Sequence, residues 1–231
     1  MFDRNRFMMD DMKEEGDVIP VFSLGDDELK FEDSYKDTMP ILALKNTVLF
    51  PGVVIPITVG RDKSIKALQK ADKGDKFLGV LTQKDMESED PTPEGLHNVG
   101  TIARIMKILK MPDGSTTAIL QGRKRFTPGV FVENEKMLEA TINIIEESVP
   151  LKNIEFNAIM STVRDFSKKI VELSPNIPSE ANMMLQNIKN NGFLLNFIAS
   201  NMNLGVAKKQ EILETSDYMT KAHLVMNVMN G

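Results

Sequence analysis

The hydrophobic period of the chain changes at Pro150, and this change constrains the fold more than any other feature. Between residues 40 and 146, apolar and β-branched residues come in short runs separated by turn residues, which is the pattern of β-strands. After Pro150, apolar residues recur every three or four positions, which is the pattern of amphipathic helices. The sequence therefore predicts an α+β chain in which a β unit precedes a helical unit.

The first part of the chain contains six runs with the composition of strands and one short helical pattern at 62–71. The link MPDGS between the fourth and fifth runs places Pro112, Asp113 and Gly114 where a tight hairpin turn needs them. The six predicted strands are ILALK, VVIPITV, KFLGVLTQ, IARIMKILKM, TTAILQG and EATINII.

The second part begins with a heptad-like stripe that predicts one long amphipathic helix. The stripe consists of Phe156, Ile159, Val163, Phe166, Ile170 and Leu173. Two prolines in LSPNIPSE end this helix, and shorter helical stretches follow around 180–190 and 192–203. Residues 206–231 repeat the spacing, so they predict a long final helix whose stripe consists of Ile212, Met219, Ala222, Met226 and Met229.

The charge of the chain lies mainly at its beginning. Residues 1–37 carry 12 acids and 5 bases, whereas the rest of the chain is nearly neutral. We expect an acidic flexible tail at 1–37, a β domain at 38–148 and a helical domain at 149–231. The apolar island VIPVFSL at 18–24 either lacks a partner or docks onto the fold.

The sequence lacks the patterns that most enzymes need. It has no cysteine, and His97 and His223 have no second ligand at the spacing of a zinc site. The segment KGDK at 73–76 lacks the glycines of a phosphate loop, and no nucleophile elbow is present. We therefore expect no catalytic residue, no metal and no cofactor in this chain.

The apolar runs of the chain and its acidic opening indicate a protein of the cytoplasm. No apolar run has the roughly 20 residues that a membrane-spanning helix needs, and the acidic opening is unlike a signal peptide.

The strongest basic cluster is GRKRF at 122–126. A strand end with solvated cations explains it, and contact with RNA is the alternative. A nearly neutral body is not typical of a nucleic-acid-binding protein, which normally has a concentrated basic face.

Many short motifs in the chain occur in the order of one known family, and they extend over about 38–231. The matching residues of the first stretch are Pro40, Leu44, Lys45, Phe50, Pro51, Ile55, Pro56, Val59, Gly60, Arg61, Lys63 and Ser64. This stretch resembles the opening of the N-terminal domain of Lon proteases. The later motifs are LTQKD, DP, VGTIARI, LKMPDGS, QGRKRF, ELSPNIPSE, FIASNMNL and KKQEILE.

The resemblance implies a PUA-like β-barrel domain followed by a helical domain, which together serve substrate recognition and hexamer assembly in a bacterial ATP-dependent serine protease. The acidic tail lies outside the shared pattern, and nothing in the chain corresponds to the ATPase or protease domain. ATP and Mg²⁺ would bind in those other domains. The expected partners are unfolded or damaged proteins and further copies of the chain, in a role in protein quality control.

Pro51 and Pro56 interrupt an apolar strand, which predicts that it lies at an edge of the sheet. An open edge beside apolar side chains suits unfolded peptides, although prolines also protect edges from aggregation. Strict alternation along 102–111 puts Ile102, Met106 and Ile108 on one face, opposite Ile105, Leu109 and Met111. The predicted substrate-binding residues are Phe50, Val54, Pro56, Met106, Met111 and Ile119; core packing is the alternative for each methionine.

The end of the last predicted helix is the expected assembly element, through Met219, Met226 and Met229. Intrachain packing is expected for Ile212 and Met219, and exposure or self-association for Met226 and Met229. Two other functions stay open: a free-standing protein-binding adaptor and an RNA-binding PUA-like domain.

Overall fold

The computed structural model describes residues 33–112, 114–133, 136–147, 153–173 and 188–230. Predictions for the acidic segment 1–32, for its apolar island and for the helical stretch before residue 188 lie outside these residues. The described elements are β1 (Thr38–Leu44), β2 (Val54–Val59), α1 (Asp62–Lys73), β3 (Phe77–Thr82), β4 (Gly100–Lys110), β5 (Thr116–Glu133), β6 (Leu138–Ile144), α2 (Ile154–Leu173), α3 (Asn191–Asn201), α4 (Val206–Glu214) and α5 (Tyr218–Asn230).

The six predicted strands and the helix at 62–71 are confirmed, and the chain folds into a mixed sheet with helices. β5 is longer than predicted, because it continues past Gly122 to Glu133. The strand order is β2-β5-β4-β3-β1-β6, and the second half of β5 also pairs with β6. This extra pairing closes a circuit of hydrogen-bonded strands and leaves β2 outside it.

Two apolar clusters fill the molecule. The smaller one has Met39, Ile41, Phe77, Leu81, Ile102, Phe126 and Leu138 among its members, all from the strands of the closed circuit. The larger one joins the other face of the strands to the helices, and includes Leu78, Leu120, Phe156, Phe193, Ile212 and Val225. Because strands and helices share this second cluster, each part of the chain buries apolar surface of the other.

The predicted hairpin between β4 and β5 is confirmed. Its turn is closed by a hydrogen bond from the Met111 amide to the Ser115 carbonyl, at 2.9 Å. Gly114 has a φ of 88°, a conformation that residues with a Cβ rarely adopt.

Pro51 lies in a turn, and not in a strand. The Val53 amide donates to the Phe50 carbonyl at 3.2 Å, and Gly52 has a φ of 81°. Proline at the second position and a left-handed glycine at the third are the signature of a type II turn. The turn directs Phe50 into the larger apolar cluster, where its side chain is fully buried.

A β-bulge changes the faces of β4. Ile105 pairs with Leu120 and Lys107 pairs with Ile119, so Met106 is an extra residue between consecutive partners. The prediction of strict alternation is therefore wrong: Ile105 and Ile108 both pack against the larger apolar cluster. A bulge shifts the alternation of side chains by one residue, which leaves Met106 on the opposite face.

The prediction of one long final helix is also wrong. The segment divides into α4 and α5, because Thr215 to Asp217 leave the helical conformation. The Asp217 carboxylate accepts hydrogen bonds from the amide and the hydroxyl of Thr220, at 2.8 and 2.6 Å. This is the contact by which an N-terminal cap starts a new helix.

The residues just before β1 are part of the fold. Asp33 lies 3.5 Å from Arg123, and the Tyr35 ring packs edge-on against Phe77 with centroids 5.1 Å apart. The Ile142 amide donates to the carbonyl of Asp37 at 2.8 Å. Residues 33–37 therefore lie against the sheet, although the sequence places them in the acidic tail.

Within the described residues, no helix has the length and apolar character needed to cross a lipid bilayer.

Candidate functional site

Two of the six predicted substrate-binding residues lie inside the fold. Phe50 has no exposed surface and Val54 is 5% exposed. The prediction that they form an accessible edge is wrong for these two residues, because the turn at Pro51 directs Phe50 inward and the Val54 side chain is buried. The other four, Pro56, Met106, Met111 and Ile119, keep some exposed surface.

These four residues lie on one outward face of the sheet. Pro56 pairs with Ile119, and Ile119 pairs with Lys107 on the next strand. Directly opposite residues of an antiparallel pair point to the same face, and the bulge puts Met106 beside Lys107. We call this surface the hairpin face; it consists of Pro56, Arg104, Met106, Lys107, Leu109, Met111 and Ile119, with the buried Val54 and Gln121 in the same cross-strand rows.

Met106 is the most exposed apolar residue of the hairpin face, with 48% of its surface accessible. Met111, at the turn, and Ile119 are half-buried. Thioether and branched aliphatic side chains offer adaptable apolar contact without a fixed hydrogen-bonding pattern. The arrangement is suited to binding other apolar chains.

The prediction that Pro56 lies on an edge strand is confirmed. Among the described strands, β2 pairs with β5 alone. No described strand pairs with its other side, which borders the hairpin face. Proline is compatible with an edge strand because it donates no hydrogen bond to a sheet ladder.

The hairpin face also carries polar groups. Gln121 is 1% exposed, and its Nε2 has no hydrogen-bond acceptor among the described residues. Arg104 pairs with Gln121 across the strands and is exposed, as is Lys107. The face therefore has two cations and one buried donor around its apolar centre.

The chain before β1 enters at the border of this face. Arg104 pairs with Phe77, and the Tyr35 ring lies against Phe77. The Tyr35 hydroxyl donates to Asp33 at 3.0 Å, and burial and the Asp33 carboxylate raise the pKa of Tyr35. The first described residues thus lie beside the row that contains Arg104 and Gln121.

The basic cluster GRKRF is not a set of solvated cations, and this prediction is wrong. Arg123 is 6% exposed and Arg125 is fully buried. The Arg125 guanidinium donates to the Leu213 carbonyl at 2.7 Å, at the end of α4, and pairs with Glu147. It thereby satisfies a carbonyl that a helix C-terminus leaves without an intrahelical partner.

Glu147 connects this cluster to α5, because its other oxygen accepts a hydrogen bond from the Tyr218 hydroxyl. Burial works to raise the pKa of Glu147, but Arg125 and the hydrogen bond from Tyr218 outweigh it, so the pKa lies below its ordinary value. Burial, together with the Glu147 charge, raises the pKa of Tyr218. The cluster is an ion pair with a neutral phenol beside it.

Lys221 lies next to this cluster. It is fully buried, and its Nζ lies 5.0 Å from the centre of the Tyr218 ring without a hydrogen-bond acceptor in the described chain. Burial, and then the Arg125 charge, lower the pKa of Lys221 to about 8. No pattern in the sequence separates this lysine from the solvated ones.

A cavity of about 350 Å³ lies between the strand ends and helix α3. Its lining includes Gly52, Lys124, Glu146, Phe193 and Asn196. The Asn196 amide donates to the Pro51 carbonyl at 3.3 Å, so α3 holds the turn that precedes β2.

The predicted assembly residues lie on α5. Met219, Met226 and Met229 are half-buried and pack against the larger apolar cluster. Ile212 on α4 is fully buried, as predicted for it. Met226 and Met229 thus have both core contact and some exposed surface.

No group of three or more potential metal ligands occurs among the described residues. His97 lies against the helical part, with its Nδ1 3.4 Å from a Glu214 oxygen. His223 is half-buried on α5.

Comparison with known proteins gives one consistent family. The model of the ATP-dependent protease La (LON) substrate-binding domain matches residues 38–231. Lon protease of Flavobacterium johnsoniae is 45% identical over 217 residues, which cover 94% of this chain and 27% of that protein. Lon protease of Parabacteroides distasonis is 37% identical over 235 residues, which cover all of this chain and 28% of that protein. The chain therefore spans about a quarter of the length of these relatives.

Two solved structures have the same fold. The N-terminal domain of Mycobacterium avium complex Lon protease superposes with a TM-score of 0.71 at 19% identity, over 84% of this chain and 98% of that one. A Lon N-terminal domain protein from Xanthomonas campestris gives a TM-score of 0.59 at 16% identity, over 82% and 97%. The motifs, the fold and the matched residues agree, and the chain belongs to the family of Lon substrate-binding domains.

Proposed function

We propose that this chain is the noncatalytic substrate-recognition region of a Lon-type ATP-dependent serine protease, and that it binds unfolded or damaged proteins on the hairpin face. In this proposal the closed circuit of strands is a PUA-like barrel, and the helical domain begins in the link between β6 and α2. ATP hydrolysis, with its Mg²⁺, and peptide cleavage belong to other domains of the longer protein.

The observation that carries the proposal is the apolar row beside an open strand edge. An extended peptide can add to the free side of β2 through main-chain hydrogen bonds, which require no particular sequence. Met106, Ile119 and Met111 then offer adaptable contacts for its side chains. Such a surface suits a protein that must bind many unrelated clients.

Met106→Glu tests this proposal. A charge at the centre of the face should weaken the binding of a fluorescent, carboxymethylated unfolded protein about five- to tenfold, the loss expected for a central contact residue. Met86→Glu is the matched control, because Met86 is exposed to nearly the same extent, 49% against 48%, but lies in the loop after β3. Fluorescence anisotropy gives the affinity and circular dichroism checks the fold. Equal losses in both variants would exclude the hairpin face as the binding site.

The alternative of RNA binding has lost its main support. It depended on GRKRF, and within that cluster Arg123 pairs with Asp33 while Arg125 pairs with Glu147. Two buried guanidiniums that face carboxylates are not available to phosphates.

Assembly with further copies of the chain is a separate part of the proposal. It rests on the exposed portions of Met226 and Met229 at the end of α5. Sedimentation of the chain and of a Met226→Glu, Met229→Glu variant tests it. An associating species that persists unchanged in the folded variant would exclude this helix end as the interface.

A further inference from the structure

We propose that the hairpin face prefers acidic clients. It binds apolar unfolded segments that carry glutamate or aspartate more tightly than equivalent segments that carry lysine or arginine, and Arg104 and Lys107 determine this preference. The preference deepens the proposed function and depends on it. It follows from how the β-bulge of β4 places the two cations, from their uncharged surroundings and from the apolar residue between them.

The β-bulge at Met106 brings the two cations to one face. In a regular strand, residues three positions apart point to opposite faces. Arg104 pairs with Gln121 on β5. Lys107 pairs with Ile119, which is two positions away on the same strand. Since directly opposite residues share a face, Arg104 and Lys107 point the same way, about 7 to 10 Å apart along the sheet.

The surroundings of the two cations on the face are uncharged. Both side chains are exposed, and neither forms an ion pair with another described residue. Their cross-strand partners are all neutral; these are Phe77, Gln121 and Ile119. The positive charges are therefore available to a partner from solution.

The carboxylate at the border of the face serves a different cation. Asp33 lies 3.5 Å from Arg123. Burial lowers the pKa of Arg123, the Asp33 charge raises it, and the Arg104 charge lowers it. Arg104 is thus close enough to act on Arg123, and one carboxylate beside two guanidiniums leaves a net positive charge at this border.

The positive charge of the face is a local feature. The whole chain has 33 acids and 28 bases, a net charge of −5, whereas the residues of the hairpin face include two bases and no acid. A patch of one sign attracts chains of the opposite sign and repels those of its own. Complementarity of this kind contributes selectivity more than affinity, so the affinity itself comes from the apolar contacts.

The apolar centre favours an unfolded protein over a nucleic acid as the partner. The exposed Met106 lies between the two cations along β4. The residues of the face include no aromatic side chain on which a base could stack, and two cations are few for binding a phosphate backbone. An unfolded chain supplies apolar side chains and carboxylates within one segment.

Fluorescence anisotropy with three labelled peptides tests the preference. The peptides share their apolar residues and differ only in the residues between them, which are glutamate, glutamine or lysine. The full chain should bind the glutamate peptide about three- to tenfold more tightly than the lysine peptide, as expected for two exposed charge contacts. The ratio should fall towards one in about 0.5 M NaCl, because salt screens exposed charges.

Neutral variants of the full chain locate the preference. Arg104→Gln, Lys107→Gln should bind all three peptides alike. Lys66→Gln, Lys73→Gln is the matched control, because it removes the same charge from exposed lysines of α1 and should keep the preference. Circular dichroism checks that both variants fold.

Equal binding of the three peptides by the unaltered chain would overturn the preference and leave the proposed function in place, since the glutamine peptide reports apolar binding by itself. A preference that persists in the Arg104→Gln, Lys107→Gln variant would place it on another surface and overturn the role of these cations. Binding of none of the peptides would overturn the proposed function together with the preference. A labelled RNA oligonucleotide that displaced the glutamate peptide at equal concentration would assign the cations to phosphates and overturn their role towards clients.

Discussion

At the scale of single residues, the buried Lys221 makes the stability of the chain depend on pH. Its pKa is about 8 in the folded chain and 10.5 as the ordinary value. Below pH 8 both states bind the proton, and the folded state bears the full penalty of a buried charge. Between pH 8 and 10.5 the unfolded chain binds the proton more strongly, so the contribution of Lys221 to stability becomes less unfavourable as the pH rises.

We expect Lys221→Met to stabilise the chain at pH 7, by on the order of 3 kcal/mol at most, and by less at pH 9.5. Urea unfolding at the two pH values measures the difference. Lys66→Met is the control, because Lys66 is exposed on α1. A gain in the free energy of unfolding that is the same at pH 7 and at pH 9.5 would show that the Lys221 amine is not the titrating group.

The residues that sequence reasoning misplaced share a physical reason. Phe50 and Arg125 are buried by partners that are distant in sequence, the turn packed on β5 and the end of α4. The hairpin that carries Met106, Met111 and Ile119 was predicted correctly, because a hairpin is a local structure, whereas the role of these residues in substrate binding stays a prediction. Burial that depends on long-range packing leaves no local pattern in the sequence.

At the scale of elements, the turn before β2 depends on one glycine in β5. The Gly52 amide donates to the Gly122 carbonyl at 2.9 Å, and the Gly122 amide donates to the Val53 carbonyl at 2.8 Å. A Cβ at position 122 would lie 2.1 Å from the Phe50 carbonyl oxygen. The two segments can approach so closely only because this residue has no side chain.

Gly122→Ala should therefore displace the turn and destabilise the chain by about 2 to 4 kcal/mol, as overpacking of a rigid contact does. Gly60→Ala is the matched control, since a Cβ there meets nothing within 4 Å. Urea unfolding compares the two variants. Equal stabilities would mean that the turn can move away from β5 at little cost.

The helices show what a periodic pattern can and cannot predict. The stripe from Phe156 predicted α2, and Phe156, Ile159 and Val163 are buried. The same reasoning joined α4 to α5, because the heptad spacing continues across the break. Asp217, three residues before Thr220, is a capping signal that starts a new helix. At this point the cap decides the structure, and the heptad spacing does not.

At the scale of the whole molecule, the larger apolar cluster predicts one cooperative unfolding transition. It joins residues such as Leu78 and Leu120 to Phe193 and Ile212. Neither the β part nor the helical part keeps a complete core without the other.

The two tyrosines offer one probe in each part, Tyr35 beside the sheet and Tyr218 on α5. In a chain labelled with 3-fluorotyrosine, both ¹⁹F resonances should lose their folded signal at the same urea concentration. Separate midpoints would show that the helical part unfolds independently and that the shared cluster is a weak interface.

The Arg125 contacts also set an order of events during synthesis. The buried guanidinium donates a hydrogen bond to the carbonyl of Leu213, which is 88 residues later in the chain. At about 5 to 20 residues per second, a ribosome delivers those residues roughly 4 to 18 seconds after Arg125. Until then the strands can pair, but this arginine must stay in water, and the end of the sheet where it lies stays open. The nascent chain thus completes its core only after α4 has left the ribosome.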